Sequence, residues 1–156
     1  MRKFVFLFSI LLLAITNSFA YSLDVAVIVN KQNPVNGVSL IELTKLLKQE
    51  KQYWEGGKKV YLILQEAGST EKKVVLKRVY QMTDEDLKKY WLGKMFRGEI
   101  ASFPKTLGSS EAVKRFVSQV PNAIGFIDSA AVDTTIKALN VNGKSPGDNG
   151  YPLSSE

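Results

Sequence analysis

One stretch of the 156-residue sequence combines residue types that can bind a small anion. Gly68, Ser69 and Thr70 follow an apolar strand pattern and open a helical one, and Glu66 precedes them. A helix N-terminus carries unpaired backbone N–H groups and a partial positive charge, glycine lets a ligand approach the backbone, and the two hydroxyl groups add donors. The stretch therefore predicts a site for a tetrahedral oxyanion. An ordinary serine N-cap is the alternative interpretation.

The composition argues against an enzyme. The chain contains neither Cys nor His, which removes thiol nucleophiles, imidazole bases, disulfides and nearly all zinc or copper ligands. A serine nucleophile would need a lysine base, and no spacing indicates one. Asp84, Glu85 and Asp86 lie at a predicted helix start, where carboxylates complement the helix dipole rather than form a hydrolytic pair. We therefore expect no catalytic residue, no cofactor and no metal site.

Apolar patterns place the anion-binding stretch within alternating strands and helices. A continuous apolar and β-branched run predicts a strand buried on both faces over residues 23–29. Further strands are predicted over residues 60–64, 123–127 and 134–139. Such alternation is typical of an α/β domain, and we expect a central, mostly parallel sheet flanked by helices.

Polar residues that can cap a helix precede each apolar helical stripe. They are Ser39, Ser69, Thr83 with Asp86 in capping-box spacing, and Ser109 or Ser110. The helix after Ser69 carries Val75, Val79 and Met82 at helical spacing. The chain around Pro104 is predicted to be a loop. The aromatic pairs at 53–54 and 90–91 indicate core packing rather than a sugar-binding platform.

The first 20 residues have the parts of a secretion signal. Arg2 and Lys3 supply a cationic start, and residues 4–15 form an apolar stretch too short for the roughly 20 residues that span a bilayer. Cleavage is predicted after Ala20, with Tyr21 as the mature N-terminus; an uncleaved anchor is the alternative. No Cys follows that could carry a lipid. We expect an exported protein in the periplasm, with release to the medium as the alternative, and no membrane span in the mature chain.

Length and charge limit the organisation and the partners. The mature chain fits one domain over residues 21–140, and residues 141–156, rich in Gly, Pro, Asn and Ser, are predicted to form a loose tail. Loss of the two basic leader residues lowers the formal net charge from +6 to +4. This charge is modest, and no basic run is interleaved with aromatic residues, so nucleic acid is not an expected partner.

Several short stretches occur in an order that resembles one known family. They are residues 38–43, Trp54 with residues 56–57, residues 68–70, residues 90–91 with 96–98, and residues 120–128. Residues 120–128 read VPNAIGFID and are the most specific, since they resemble the family's PGAIGY stretch. The family is the type 2 periplasmic binding proteins, specifically the substrate-binding proteins of phosphate ABC transporters. The likeness runs over residues 25–139 and covers one lobe of the family's two-lobed structure.

The resemblance implies a role for each residue of the anion-binding stretch. Glu66 takes the place of an acidic residue that accepts a hydrogen bond from protonated phosphate and so helps to reject sulfate. Gly68 and Ser69 take the inner positions of a phosphate-binding loop, with Ser and Gly exchanged, and Thr70 takes the position of a Thr.

Two departures from the family pattern concern the binding site. The position of a family arginine falls on Leu64, and the second lobe that would close over the ligand is missing. Arg97 is a candidate for the missing charge; its alternative role is that of a surface residue at a helix C-terminus.

The sequence thus predicts an exported, solute-binding type of protein that binds phosphate or a similar small oxyanion. Gly68, Ser69 and Thr70 would donate hydrogen bonds, with Glu66 as an acceptor. An ABC transporter or another envelope protein is the expected partner. The alternative function is an interaction module that has no ligand and docks on an envelope partner. A homodimer in which two lobes face each other is a third arrangement.

Overall fold

The computed structural model of the chain describes residues 22–155. The predicted leader and its cleavage after Ala20 therefore lie outside the described residues. Within residues 22–155, no helix is long and apolar enough to cross a membrane.

The described residues contain seven strands and four α-helices. The strands are β1 (Val25–Asn30), β2 (Gly37–Val38), β3 (Tyr61–Gln65), β4 (Lys105–Leu107), β5 (Ala123–Asp128), β6 (Ile136–Ala138) and β7 (Asn140–Val141). The α-helices are α1 (Leu40–Leu47), α2 (Thr70–Val75), α3 (Asp84–Phe96) and α4 (Ser110–Gln119). A π-helical segment, Leu76–Tyr80, continues α2, and a 3₁₀ turn, Ser129–Ala131, follows β5.

Five of the strands form a central sheet in the order β4-β3-β5-β1-β6, and β2 and β7 form a small parallel pair. Strand β3 runs parallel to both β4 and β5, whereas β1 is antiparallel to β5 and to β6. Four strands of the central sheet therefore point in one direction and β1 points in the other. The predicted α/β class with a mostly parallel sheet is confirmed.

Strand β1 lies between two hydrophobic cores. All six of its residues are buried. Val25, Val27 and Val29 contact the core shared with α1, α2 and α3, whereas Ala26 and Ile28 face the core formed with α4. Alternate residues of a strand point to opposite faces, so a continuous apolar run is required here. The prediction of a strand covered on both faces is confirmed.

The predicted caps begin the α-helices. The side chains of Ser39, Ser69 and Ser109 accept hydrogen bonds from the backbone N–H three residues on. Thr83 and Asp86 form both bonds of a capping box. Ser109, rather than Ser110, is therefore the cap of α4.

The structure differs from the prediction in two segments. The helix after Ser69 changes to π-helical geometry at Leu76 and ends at Gln81, whose φ of 52° is left-handed, so Met82 lies beyond it. Residues near Pro104 were expected to form a loop, yet Lys105–Leu107 forms strand β4. Pairing with β3 stabilises this short strand, and a local pattern of three residues cannot reveal a distant partner.

The prediction of a loose tail after residue 140 is wrong. Val141, Tyr151 and Leu153 are buried in the core that contains α1 to α3. Tyr151 Oη donates to the carbonyl of Val25 at 2.9 Å, and the Val25 N–H donates to the carbonyl of Leu153 at 2.9 Å. These three apolar side chains anchor the segment, while the glycines around them serve turns with positive φ. The domain therefore extends to the end of the described chain.

The tryptophans of the two aromatic pairs lie in the core, as predicted. Trp54 and Trp91 are buried, and Trp54 Nε1 donates to the carbonyl of Asn122 at 3.0 Å. Tyr90 is partly buried and packs edge-on against Trp91. Tyr53 differs, because just over half of its surface is exposed.

Candidate functional site

The predicted anion-binding stretch lies where two strands end side by side. Because β3 and β4 are parallel, their carboxyl ends meet at one edge of the sheet, and each leads to the N-terminus of a helix. The N–H of Glu66 donates to the carbonyl of Leu107 at 3.1 Å. The Glu66 carboxyl group lies 3.6 Å from the position that a Cβ would take at Gly108. The starts of α2 and α4 are therefore neighbours.

The backbone of the loop turns sharply before α2. Gly68 has a φ of 89°, a conformation that favours glycine, and Ser69 is extended with φ −63° and ψ 145°. Ser69 Oγ accepts a hydrogen bond from the N–H of Lys72 at 3.1 Å. Ser69 is thus an N-cap, as the alternative interpretation stated. Its hydroxyl proton still allows Ser69 to donate to a ligand.

The first turn of α2 leaves two backbone donors without partners. The N–H of Lys72 is satisfied by Ser69 Oγ, and that of Lys73 by the Ser69 carbonyl at 3.1 Å. Among residues 22–155, the N–H groups of Thr70 and Glu71 have no acceptor. Since Thr70 is exposed, these donors, together with hydroxyl groups beside them, can reach a ligand from solvent.

A network of polar side chains holds the two helix starts together. Ser110 Oγ donates to Glu71 Oε1 at 2.7 Å and accepts from the N–H of Asp128 at 3.1 Å. It also accepts at 3.2 Å from Nε2 of Gln65, a buried residue whose amide donates to the carbonyl of Phe126. The sequence analysis assigned no binding role to Gln65, Glu71 or Ser110, whose contacts hold the loop in place. A polar Gln at the end of an apolar strand was the available signal.

The buried lysine in the first turn of α2 forms an ion pair with a residue outside the loop. Lys72 is 8% exposed, and its Nζ lies 2.7 Å from Asp84 Oδ1 at the start of α3. Within residues 22–155, no lysine or arginine side chain forms an ion pair with Glu66 or Glu71. The same part of the chain contains no group of three or more acidic side chains placed to hold a metal ion. Uncharged donors and two carboxylates therefore dominate the loop.

Arg97 does not join this loop. It caps the C-terminus of α3, and its Nε lies 2.5 Å from Glu99 Oε1. The Glu99 carbonyl accepts a hydrogen bond from the side-chain amide of Gln52. The carbonyl of Gln52 in turn accepts from the N–H of Val60, just before β3. Arg97 therefore lies near the amino end of β3, whereas Glu66 follows the carboxyl end, about 16 Å away along a five-residue strand. The missing positive charge is not supplied by Arg97.

The remaining predicted residues lie together in one loop. Glu66, Gly68, Ser69 and Thr70 all lie in the loop between β3 and α2, with Glu66, Gly68 and Thr70 exposed. Leu64, which takes the place of the family arginine, is buried in the core. The loop can therefore donate several hydrogen bonds to an anion, but from one side of the anion.

Comparison with solved structures shows the same fold in phosphate-binding proteins. A phosphate ABC transporter substrate-binding protein from Clostridium perfringens, solved with bound phosphate, matches with a TM-score of 0.70 at 20% identity, over 85% of this chain and 53% of its own. An ABC-type phosphate transport receptor from Vibrio cholerae matches with a TM-score of 0.70 at 21% identity, over 85% of this chain and 54% of its own. PstS from Borrelia burgdorferi matches with a TM-score of 0.67 at 18% identity, over 85% of this chain and 55% of its own.

These likenesses concern the fold. The chain spans about half the length of the solved structures that it matches, which confirms the predicted single lobe of a periplasmic-binding-protein-like fold. No protein-family model matches the sequence, and no curated protein matches it.

Proposed function

We propose that this chain is an exported solute-binding lobe that binds phosphate or a similar small oxyanion at the loop between β3 and α2. One observation carries the proposal. The unpartnered N–H groups of Thr70 and Glu71 begin a helix at an exposed loop, within a fold that also occurs in a protein solved with bound phosphate.

The mechanism is hydrogen bonding to the anion. The N–H groups of Thr70 and Glu71 and the hydroxyl groups of Ser69 and Thr70 donate to its oxygens, and the positive end of the α2 dipole favours its charge. Glu66 accepts a hydrogen bond from an oxygen that keeps a proton. Because a carboxylate repels an anion with no proton to share, this arrangement favours hydrogen phosphate over sulfate.

The affinity follows from the number of donors. Each hydrogen bond contributes about 1 kcal/mol net, and three or four of them correspond to a dissociation constant of roughly 1 mM. Among residues 22–155, the buried Leu64 occupies the position that the resemblance assigns to arginine, and the loop is open to solvent. Binding at micromolar strength would require a facing surface from outside the described residues.

The same proposal gives the protein a place and a partner. The leader expected over residues 1–20 directs it to the periplasm, and the receiver of the anion would be an ABC transporter or another envelope protein. The named relatives act in phosphate transport, which supports this assignment.

Calorimetry tests the proposed function. Protein is freed of bound anion by unfolding and refolding, and phosphate is added to millimolar concentration near neutral pH. Thr70→Val keeps the shape of the side chain but removes one exposed hydroxyl donor, so we expect about fivefold weaker binding, the equivalent of about 1 kcal/mol.

Thr134→Val is the matched control for this substitution. Thr134 is also exposed, and it lies before β6, at the opposite end of the sheet. We expect no change in phosphate affinity for this variant. The absence of phosphate heat from the refolded wild-type protein at millimolar ligand would contradict the proposed function.

A further inference from the structure

Strand β4 leaves one edge of the central sheet unpaired. It is the terminal strand of the sheet, and only β3 pairs with it within residues 22–155. The carbonyl of Leu107 accepts from the N–H of Glu66, the residue that follows β3. Because alternate residues of a strand direct their main-chain groups to opposite edges, Thr106 directs its N–H and C=O away from β3. An unpaired edge of this kind can pair with another strand.

A groove lined by aromatic side chains runs beside this edge. Its volume is about 450 Å³, and Tyr61, Phe103 and Phe116 line it. Tyr61 and Phe103 are 52% and 49% exposed. Large aromatic side chains at a surface groove are the usual anchors of protein interfaces. The groove therefore suits an apolar side chain from outside.

The charges around the groove are unbalanced. Lys59 and Lys105 lie on its lining, and neither forms an ion pair with a carboxylate among the described residues. Lys105 Nζ lies 5.7 Å from the centre of the Phe116 ring. The lining carboxylate, Glu99, is already paired with two cations, Lys94 and Arg97. The net charge of the groove is therefore positive, which favours an acidic occupant.

We propose that the β4 edge and its aromatic groove form a docking surface for an extended segment of a partner protein, in which acidic residues flank a large apolar side chain. The segment pairs with the main chain of Thr106, places its apolar side chain against Tyr61 and Phe103, and brings its carboxylates to Lys59 and Lys105. This surface lies apart from the Glu66–Thr70 loop, so it goes beyond the proposed function.

A short peptide of defined sequence tests this surface. The probe is the blocked pentapeptide Glu-Val-Phe-Val-Glu, and its counterpart with Lys at both ends has the opposite charge. Binding is followed by the amide chemical shifts of the full chain in two-dimensional NMR. We expect shifts at Lys105 and Thr106, and binding of the acidic peptide about tenfold tighter than that of the basic one, an advantage that falls with added salt.

Two substitutions at Thr106 separate strand pairing from general attraction. Thr106→Pro removes the outward N–H without removing a bond to β3, and Thr106→Val keeps that N–H. We expect about fivefold weaker binding for the proline variant relative to the valine variant. Lys105→Glu should weaken binding of the acidic peptide by about five- to tenfold. Circular dichroism establishes that each variant is folded.

Several results would overturn this proposal. One is equal binding of the acidic and basic peptides; another is equal binding by the Thr106→Pro and Thr106→Val variants. Absence of shifts at Lys105 and Thr106 at millimolar acidic peptide would also overturn it. If sedimentation instead shows a wild-type dimer that Lys105→Glu dissociates, the surface serves self-association and not an acidic partner.

Discussion

At the scale of single residues, the candidate anion site combines helix-end donors with two carboxylates. Glu71 is engaged by Ser110 at 2.7 Å, which leaves Glu66 as the acceptor that faces the loop. The buried Leu64 contributes no charge at the position where the resemblance implies an arginine. Selectivity in such a site depends on whether the anion carries a proton, and affinity depends on a few neutral donors.

A second group of charged residues, which lies away from the candidate anion site, is expected to affect stability. Hydrogen bonds from Arg97, which has the larger effect, and from Lys94 lower the pKa of Glu99 from 4.5 to about 2. Burial alone would lower the pKa of Lys94, but its hydrogen bond to Glu99 raises it above the usual value. Lys94 is only 5% exposed, so its charge depends on this carboxylate.

Glu99→Gln should change how stability depends on pH. A carboxyl group whose pKa is lower in the folded state stabilises the fold above the unfolded pKa of 4.5, and this contribution is lost as the pH falls towards about 2. We therefore expect the variant to be less stable than wild type at pH 6.5 and to lose less stability on acidification. Urea unfolding at pH 6.5, 4 and 2.5 measures both effects.

Glu85→Gln is the control for the pH experiment. Glu85 forms an exposed pair with Lys89 at 3.1 Å, one helical turn away, and such surface pairs contribute little. Its variant should follow the wild-type pH profile. If Glu99→Gln also follows it, the network of Glu99, Arg97 and Lys94 does not stabilise the fold.

At the scale of elements, α4 packs closely against the sheet because β5 has a glycine at the contact. A Cβ at Gly125 would lie 2.7 Å from Val113 Cγ1 and 3.5 Å from Val117 Cγ2. Both valines are fully buried. Only a residue without a side chain allows α4 and β5 to approach this closely, and α4 begins beside the candidate site.

Gly125→Ala should destabilise the protein by about 1–3 kcal/mol, the usual cost of overpacking a core. Gly108→Ala is the control, since its Cβ would meet the Glu66 carboxyl group at an ordinary 3.6 Å. Urea unfolding compares the two variants. Equal stability would show that α4 shifts at no cost, which contradicts tight packing at Gly125.

At the scale of the whole molecule, the proposed anion site has one wall. It covers 53–55% of the three phosphate-transport structures compared above, and the Glu66–Thr70 loop is open to solvent. A second wall would have to come from outside the described residues. A second copy of this chain and an envelope partner are the two sources that the sequence suggested.

Sedimentation velocity distinguishes these sources. We expect the sedimentation coefficient of the purified protein to be the same with and without millimolar phosphate, because one lobe binds the anion without a partner. Unrelated salt at equal ionic strength is the control. An increase specific to phosphate would show that the anion drives association of two copies, because a ligand shifts an equilibrium towards the state that binds it.

Local patterns in the sequence determined the class of fold and the loop of the candidate site. The apolar run in β1 is required because both faces of that strand are buried, and Ser39, Ser69 and Thr83 satisfy N–H groups within their own helices. These interactions involve neighbours along the chain or a periodic burial pattern. They can therefore be predicted from sequence alone.

Contacts between distant residues decided the rest. Strand β4 depends on β3, and the C-terminal segment is ordered because Tyr151 and Leu153 pack and bond against β1. Arg97 lies far from Glu66 because α3 ends near the opposite end of β3. Ser110 reaches Glu71 across 39 positions of sequence. No local pattern records such pairings, because their free energy comes from surfaces that meet only after the chain has folded.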